Sequence, residues 1–367
     1  MALTQSRIFF GLLITLVVAS GFIFTLSVWK TTPVEPPYAT LSLQARKWQK
    51  KAKDTSLNSF WKELGRPSNA SKSVTEKELI PPVARQISRP LEYHLDPVGI
   101  AKQYDIMPKP CSDFKQQPFL VLIVFSRPDG FKLRQAIRKT YGSLANPVCG
   151  VRLLFMLGRI YNSVLQTMLV QEADKYGDMI QSNQFDDKYR AAAHKAIHLL
   201  QWGGTFCPQS TYVAKIDDDN WLNLPKYYNF LQQHKGNDYV YGAIFGAGTT
   251  VIRDPASKYY VPREEFAPDL YPEYLSGILY AFKTKVLPKV VHVAKSLHVT
   301  FNDDVYICGV VTSAANLTRR EVPDYAWDNN IYDTACPKRD KMCIHYSTVE
   351  DFYRLWTDSC YRYEELC

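Results

Sequence analysis

The run Phe119-Leu-Val-Leu-Ile-Val-Phe125 constrains this chain most, because it is apolar without interruption and carries no polar alternation. A strand of that composition must be covered on both faces, which excludes the half-solvated sheets of simple hairpin proteins. It follows Pro118 and leads into a polar turn and a basic helix. A second strand is expected at Val151-Arg-Leu-Leu-Phe-Met-Leu157, then a helix over 163–176, a short strand over 178–182, a helix over 189–202 and a strand over 212–216. Strands that alternate with helices predict an α/β domain with a mostly parallel central sheet flanked by helices. In such sheets ligands bind beyond the carboxyl ends of the strands.

One of those ends is chemically distinctive. Tyr212-Val-Ala-Lys-Ile-Asp-Asp-Asp-Asn-Trp-Leu-Asn223 finishes an apolar run in three consecutive carboxylates. Adjacent acids repel, and a divalent cation gripping a diphosphate gives them a reason to coexist: hard oxygen ligands suit Mg²⁺ or Mn²⁺. An exposed acidic turn facing water is the competing reading.

The rest of the chain sets the context. Residues 8–29 form an uncharged run between Arg7 and Lys30, long enough to cross a bilayer as one helix. This divides the chain into a tail over 1–7, an anchor over 8–29, a proline-rich stem over 30–117 and a body over 118–367. Arg46, Lys47, Lys50, Lys51 and Lys53 follow the anchor, and the positive-inside rule would hold them in the cytosol. The eight cysteines point the other way: all lie beyond the anchor, none with CxxC spacing, a pattern of disulfides in an oxidising compartment and not of a zinc site. Asn69-Ala-Ser71 and Asn316-Leu-Thr318 are acceptor sequons for N-glycans, used only in the lumen. The net charge of +8 is spread over the chain with no basic tract, so nucleic acid is not an expected partner.

Four further segments stand in a fixed order around the acidic triplet. Leu133-Arg-Gln-Ala-Ile-Arg-Lys-Thr-Tyr141 resembles the R-x-A-I-R-x-T-W signature of the β-1,3-galactosyltransferase and β-1,3-N-acetylglucosaminyltransferase family, glycosyltransferase family 31. Glu172-Ala-Asp-Lys-Tyr-Gly-Asp-Met-Ile180, Phe185-Asp-Asp-Lys-Tyr189, Lys195, Trp202 and Cys207 are similar to a second block of that family. Tyr271-Pro-Glu-Tyr-Leu-Ser-Gly277 resembles its Y-P-x-Y-x-S-G, and Asn302-Asp-Asp-Val-Tyr306 stands where it has E-D-V-Y. The resemblance implies a GT-A fold, a single-pass type II protein of the Golgi membrane with a luminal catalytic domain, and inverting transfer from a UDP-sugar with Mn²⁺ or a similar ion. The acceptor would be a glycan on a glycoprotein or glycolipid.

It also assigns roles. Asp217 and Asp218 would contact the nucleotide and Asp219 would ligate the metal, with His345 in Cys343-Ile-His-Tyr-Ser347 as the second ligand; a surface histidine is the other reading of His345. Asp304 would be the base that takes the proton of the acceptor hydroxyl. Its competing role, shared with Asp303, is a helix N-cap. Tyr274, Ser276, Gly277 and Asp303 would line the sugar pocket. Arg134 and Arg138, four apart on one helix face, would bind uracil or diphosphate or else form internal ion pairs. Lys195 would face donor phosphate or seal a carboxylate.

Departures from the family pattern bear on specificity. Ser276-Gly-Ile-Leu-Tyr280 stands where the family has S-G-G-G-Y or S-G-x-G-Y, and isoleucine or leucine would fill space that glycine leaves for a ligand. Galactose is the expected donor sugar, with N-acetylglucosamine or N-acetylgalactosamine as alternatives. A non-catalytic luminal glycan-binding or chaperone-like protein on the same fold is a reading from another class. A metal-dependent phosphodiesterase would call for several histidines near the acids, and the seven here are dispersed.

Overall fold

The computed structural model describes residues 95–326, 340–345 and 347–358, together with the backbone of 11–17 and 23–29. The chain divides into two compact units, Met1–Ser71 and Lys72–Cys367. In the first, strands β1 (Gly11–Val17) and β2 (Ile23–Trp29) pair antiparallel, with Gly11 opposite Trp29 and Val17 opposite Ile23. The single spanning helix expected over 8–29 is not what the described backbone forms, and the segment's β-branched content is compatible with the extended form. No helix among the described residues is long and apolar enough to cross a membrane. The expected tail over 1–7, most of the expected stem and Asn69 lie outside the described residues.

The second unit is built on an eight-stranded sheet. Its spatial order is β11 (Arg319–Glu321), β9 (Val240–Phe245), β10 (Tyr274–Lys283), β7 (Tyr212–Asp217), β4 (Leu120–Phe125), β5 (Val151–Arg159), β6 (Met179–Asp186) and β3 (Tyr104–Ile106). The centre is parallel, as expected: β4 pairs with β5 on one side and β7 on the other, and β5 pairs with β6. The flanks are mixed. β10 runs antiparallel to both β7 and β9, and β3 runs antiparallel to β6. Antiparallel neighbours need no crossover helix, so β9 and β10 are joined by a long loop instead.

Alternation along each strand divides the core into two layers. Val121 and Ile123 of β4 pack on one face with Trp202, Leu199 and Ala196 of α4 (Ala192–Phe206) and with Val290 and Val291 of α6 (Leu287–Ser296). Leu120, Leu122 and Val124 pack on the other with Ile137 of α2 (Phe131–Lys139), Leu169 of α3 (Ser163–Tyr176), Leu231 of α5 (Leu224–Gln233) and Phe352 of α7 (Val349–Thr357). The helix expected over 163–176 is α3, held by the Asn162 side chain at its N-cap and by Gly177 at φ 64° just past its end.

The folded body begins well before residue 118. Helix α1 (Pro97–Ala101), strand β3 and the disulfide from Cys111 to Cys207 all fall within the segment expected to be stem. Pro97 sits at the first turn of α1, where its missing N–H is no loss. The disulfide links this lead-in to the end of α4 across 96 residues of sequence. We expect Cys207→Ser to lower unfolding free energy by about 2–5 kcal/mol, as for closure of a long loop. Urea denaturation of the two proteins under non-reducing conditions checks this, and equal midpoints would contradict it.

Candidate functional site

The acids stand where the topology changes direction. β5 and β7 leave β4 on opposite sides, and Asp217 at the end of β7 lies in register with Phe125 at the end of β4. This is the switch-point crevice of an open α/β sheet. Asp218 follows into the crevice: its N–H donates to the Phe125 carbonyl at 3.1 Å, and its carboxylate accepts from the Arg127 N–H at 3.2 Å. Asp218 is buried, and burial raises its pKa above the ordinary carboxylate value.

Asp219 turns outward. Its side chain is 42% exposed, and its Oδ2 lies 3.9 Å from His345 Nε2. A small second sheet makes that approach: β13 (Cys343–Ile344) pairs with β8 (Trp221–Leu222) and β12 (Tyr325–Ala326), with Ile344 opposite Trp221. The Ser347 N–H then donates to the Asp219 carbonyl at 2.7 Å. The His345 pKa falls to about 4, through burial and then the positive charges of Lys215 and Lys258. The imidazole is therefore neutral at physiological pH, the form in which histidine ligates metals. The Asp219 pKa rises through burial and the neighbouring Asp218, so a cation would relieve it.

No group of three or more candidate ligands converges among the described residues. The fit to Mg²⁺ or Mn²⁺ is thus to a two-residue site. Asp219 and His345, 3.9 Å apart, are the two residues that would hold such an ion.

Across the crevice, Asp303 and Asp304 open a π-helix (Asp304–Val311). Asp303 occupies the cap position but its side chain makes no capping bond. It faces Lys215 Nζ at 3.3 Å and accepts from the Tyr280 hydroxyl at 3.4 Å. The capping role therefore does not account for Asp303. The Asp304 pKa is pushed up to about 7, by burial first and by Asp303 second, and that of Asp217 likewise to about 7, where burial outweighs the opposing effect of Lys215. Eight residues of π-helix are uncommon, and such segments cluster at functional sites. Arg319 serves the loosened carbonyls, with Nε 2.5 Å from Cys308 O and Nη2 2.6 Å from Gly309 O.

Gly277 lies beside Asp303, Asp304 and Lys215. A Cβ there would come 3.4 Å from both Asp303 Oδ1 and Asp304 Cβ, so a side chain would occupy the space in front of the acid pair. Ser276 is buried, and its Oγ accepts from the Ile278 N–H at 3.3 Å. Tyr274 stacks on Phe245 with ring centroids 5.2 Å apart, within a third apolar cluster that includes Tyr271 and Phe301. Ile278 and Leu279 point into the core layer shared with Ile216, so these substitutions for glycine do not fill the crevice as the sequence suggested.

The cationic residues expected to hold the donor are structural. Arg134 is fully buried: Nη2 pairs with Glu172 at 2.6 Å, Nη1 donates to Ser126 Oγ at 3.0 Å and to the Arg127 carbonyl at 2.6 Å. Arg138 pairs with Asp178 at 2.7 Å and with Glu172 at 2.6 Å. Internal ion pairing, the second reading of these residues, is the one realised, and it shapes the 126–128 loop from below. Lys195 joins the Ser126 carbonyl at 2.7 Å to Asp187 at 3.0 Å, so it seals a carboxylate. Asp187, not anticipated, also accepts from the Gly158 N–H at 2.6 Å. Asn316 is exposed.

The sequence model of the family described as Galactosyltransferase matches residues 132–323. A mouse relative, UDP-GlcNAc:betaGal beta-1,3-N-acetylglucosaminyltransferase 8, is 32% identical over 67% of this chain and 63% of its own length. The chain belongs to the galactosyltransferase family. Human Beta-1,3-galactosyltransferase 1 is 29% identical over 66% of this chain and 74% of its own, and rat Lactosylceramide 1,3-N-acetyl-beta-D-glucosaminyltransferase is 28% identical over 66% and 67%. The match to the mouse relative thus spans less than two thirds of that protein. The family match takes in Asp217, Asp218, Asp219, Gly277 and Asp304, and it ends before His345.

Arg134→Met leaves Glu172 with Arg138 alone and removes the buried cation that anchors the 126–128 loop. Breaking one partner of a buried pair costs about 3–5 kcal/mol, and chemical denaturation reads it. A loss under about 1 kcal/mol would show that the pair does not hold the loop.

Proposed function

We propose that this protein is an inverting β-1,3-glycosyltransferase of GT-A type that moves a hexose from a UDP-sugar to a glycan acceptor. The observation that carries the reading is the approach of two acid sets in one crevice: Asp217, Asp218, Asp219 and His345 on the switch-point side, Asp303 and Asp304, beside Gly277, on the other. Family membership supports it, since the relatives named above are β-1,3-linked galactosyl- and N-acetylglucosaminyltransferases. Galactose is the proposed donor sugar, with N-acetylglucosamine the alternative that the relatives equally support.

In this reading Asp219 and His345 hold the divalent cation, which when bound would offset the charge of the departing diphosphate. Asp217 and Asp218 face the nucleotide. Asp304 accepts the acceptor hydroxyl proton as its oxygen bonds to the anomeric carbon; the carbon–oxygen bond to UDP breaks on the opposite face, and its electron pair leaves with the β-phosphate. A carboxylate whose pKa stands near 7 is matched to this task at neutral pH. Gly277 leaves room for the sugar in front of Asp304.

The apolar run over 8–29 is proposed to anchor the chain in the Golgi membrane as a type II span. The Cys111–Cys207 disulfide and the exposed Asn316 sequon support a luminal body.

The test uses the full chain, expressed in eukaryotic cells and solubilised in detergent, with UDP-galactose, UDP-N-acetylglucosamine and UDP-N-acetylgalactosamine against β-glycoside acceptors, with Mn²⁺ or EDTA. Acceptor-dependent, EDTA-sensitive release of UDP from one donor is expected; a folded protein that binds UDP-sugar but transfers nothing would favour the glycan-binding alternative. Asp304→Asn should lower kcat by about 10²–10⁴ with UDP binding nearly intact, whereas Asp219→Ala should weaken metal-dependent UDP binding as well. Equal loss of UDP binding in both would sink this division of roles. Because the base must be ionised, wild-type turnover should fall as pH drops below about 7, measured as the acid limb of kcat. In the same cells Asn316→Gln should remove one glycan from the protein, seen as a smaller glycosidase-dependent gel shift; no change would argue against glycosylation at that site.

A further inference from the structure

Lys215 is a charged residue in an otherwise apolar strand, 1% exposed at the side chain, and none of the roles above employs it. Its Nζ lies 2.6 Å from Asp217 Oδ1 and 3.3 Å from Asp303 Oδ2, and it donates to the Gly277 carbonyl. The ring of Phe125 lies 4.5 Å away and that of Tyr280 5.7 Å. An ammonium has three hydrogens to give, and here three acceptors on three elements surround it: β7, β10 and the residue that opens the π-helix.

We propose that Lys215 is a positioning residue that ties the nucleotide-facing Asp217 to the Asp303–Asp304 pair, fixing the donor side of the crevice against its acceptor side. The proposal rests on the transferase reading above. Without a central cation three neighbouring carboxylates would repel, and the two sides would part or take up protons. Burial alone would push the Lys215 pKa down, but Asp217 and Asp303 outweigh it and move it upward, so the ammonium stays charged. Its compact point charge suits three acceptors in different directions, which a planar guanidinium does not. The groups facing Asp304 are Asp303, Lys215, Tyr271 and Tyr274 from β10 and its lead-in, Tyr189 from the turn before α4, and Cys308 from the π-helix. Lys215 is the only cation among them.

The test compares the detergent-solubilised full chain with Lys215→Met, and with Lys215→Gln in case methionine is not accommodated. The expected loss in kcat is about 100-fold, the order that a misplacement of about 1 Å produces. The acid limb of kcat should also move to higher pH by about one unit, because losing the cation favours protonated acid. Lys215→Arg, which keeps the charge, should leave the limb where wild type has it. A purely structural lysine would lower the amount of active protein without moving the limb. Turnover within about twofold of wild type, or an unmoved limb, overturns the proposal.

A second readout does not need activity: melting temperature of wild type and Lys215→Met from about pH 5 to about pH 8. Acids whose folded pKa is raised lose their contribution to stability as pH climbs through that pKa, so the gap between the two proteins should widen with pH. If wild type transfers no sugar from any donor, the transferase reading fails by itself and the melting series decides the role of Lys215. A gap that stays constant overturns it.

Discussion

The ladder that β4 forms with β5 and β7 is the interaction on which the rest depends. Leu120, Leu122 and Val124 face one layer of the core and Val121 and Ile123 the other, so the strand has no solvent face and tolerates one register only. That register puts Phe125 beside Asp217 and lets the Phe125 carbonyl accept from Asp218. The acidic triplet is thus placed by an apolar strand and not by its own charge. The loop after Phe125 enters the crevice at the same level and meets Asp218 through the Arg127 N–H.

Around this frame the protein buries charge in pairs. Glu172 shows the balance: burial raises its pKa, yet the hydrogen bonds from Arg134 and Arg138 outweigh burial and leave it lowered. Such pairs add little net stability over an apolar core, but their directed bonds specify backbone position. Arg134 grips Ser126 and the Arg127 carbonyl, and Lys195 grips the Ser126 carbonyl from the other side. Two cations that sequence reasoning left open between a ligand and an internal acid therefore hold the backbone of this loop. The 126–128 loop can be polar, short and fixed at once because its anchors are buried.

Much of this was legible in the chain. Uninterrupted apolar runs marked β4 and β5 because a strand covered on both faces has no other composition available. The helix expected at 163–176 formed as α3 with the same bounds. The boundary at 118 misled, since Pro97 and the prolines at 108 and 110 read as spacer while one starts a helix and the others lead into a buried cysteine. Whether Arg134 and Arg138 met a ligand or an acid was open in sequence, because their partners Glu172 and Asp178 come from the far end of α3 and the start of β6. The signal for Lys215 was present and passed over: a lysine inside Tyr-Val-Ala-Lys-Ile must find anions, and two residues on stood three.

Local chemistry determined that the chain would form strands buried on both faces, that carboxylates would end one of them, and that the order of its motifs would match a transferase family. These depend on residue type and near-neighbour spacing, which a sequence carries in full. Tertiary structure alone decided which acids oppose which: that His345 reaches Asp219 through a two-residue strand, that Asp303 turns from capping a helix to meeting Lys215, and that Gly277 stands beside them. Those pairings join segments tens of residues apart through sheet register and loop closure. Only the packed backbone fixes those distances, and side-chain charge responds to them afterwards.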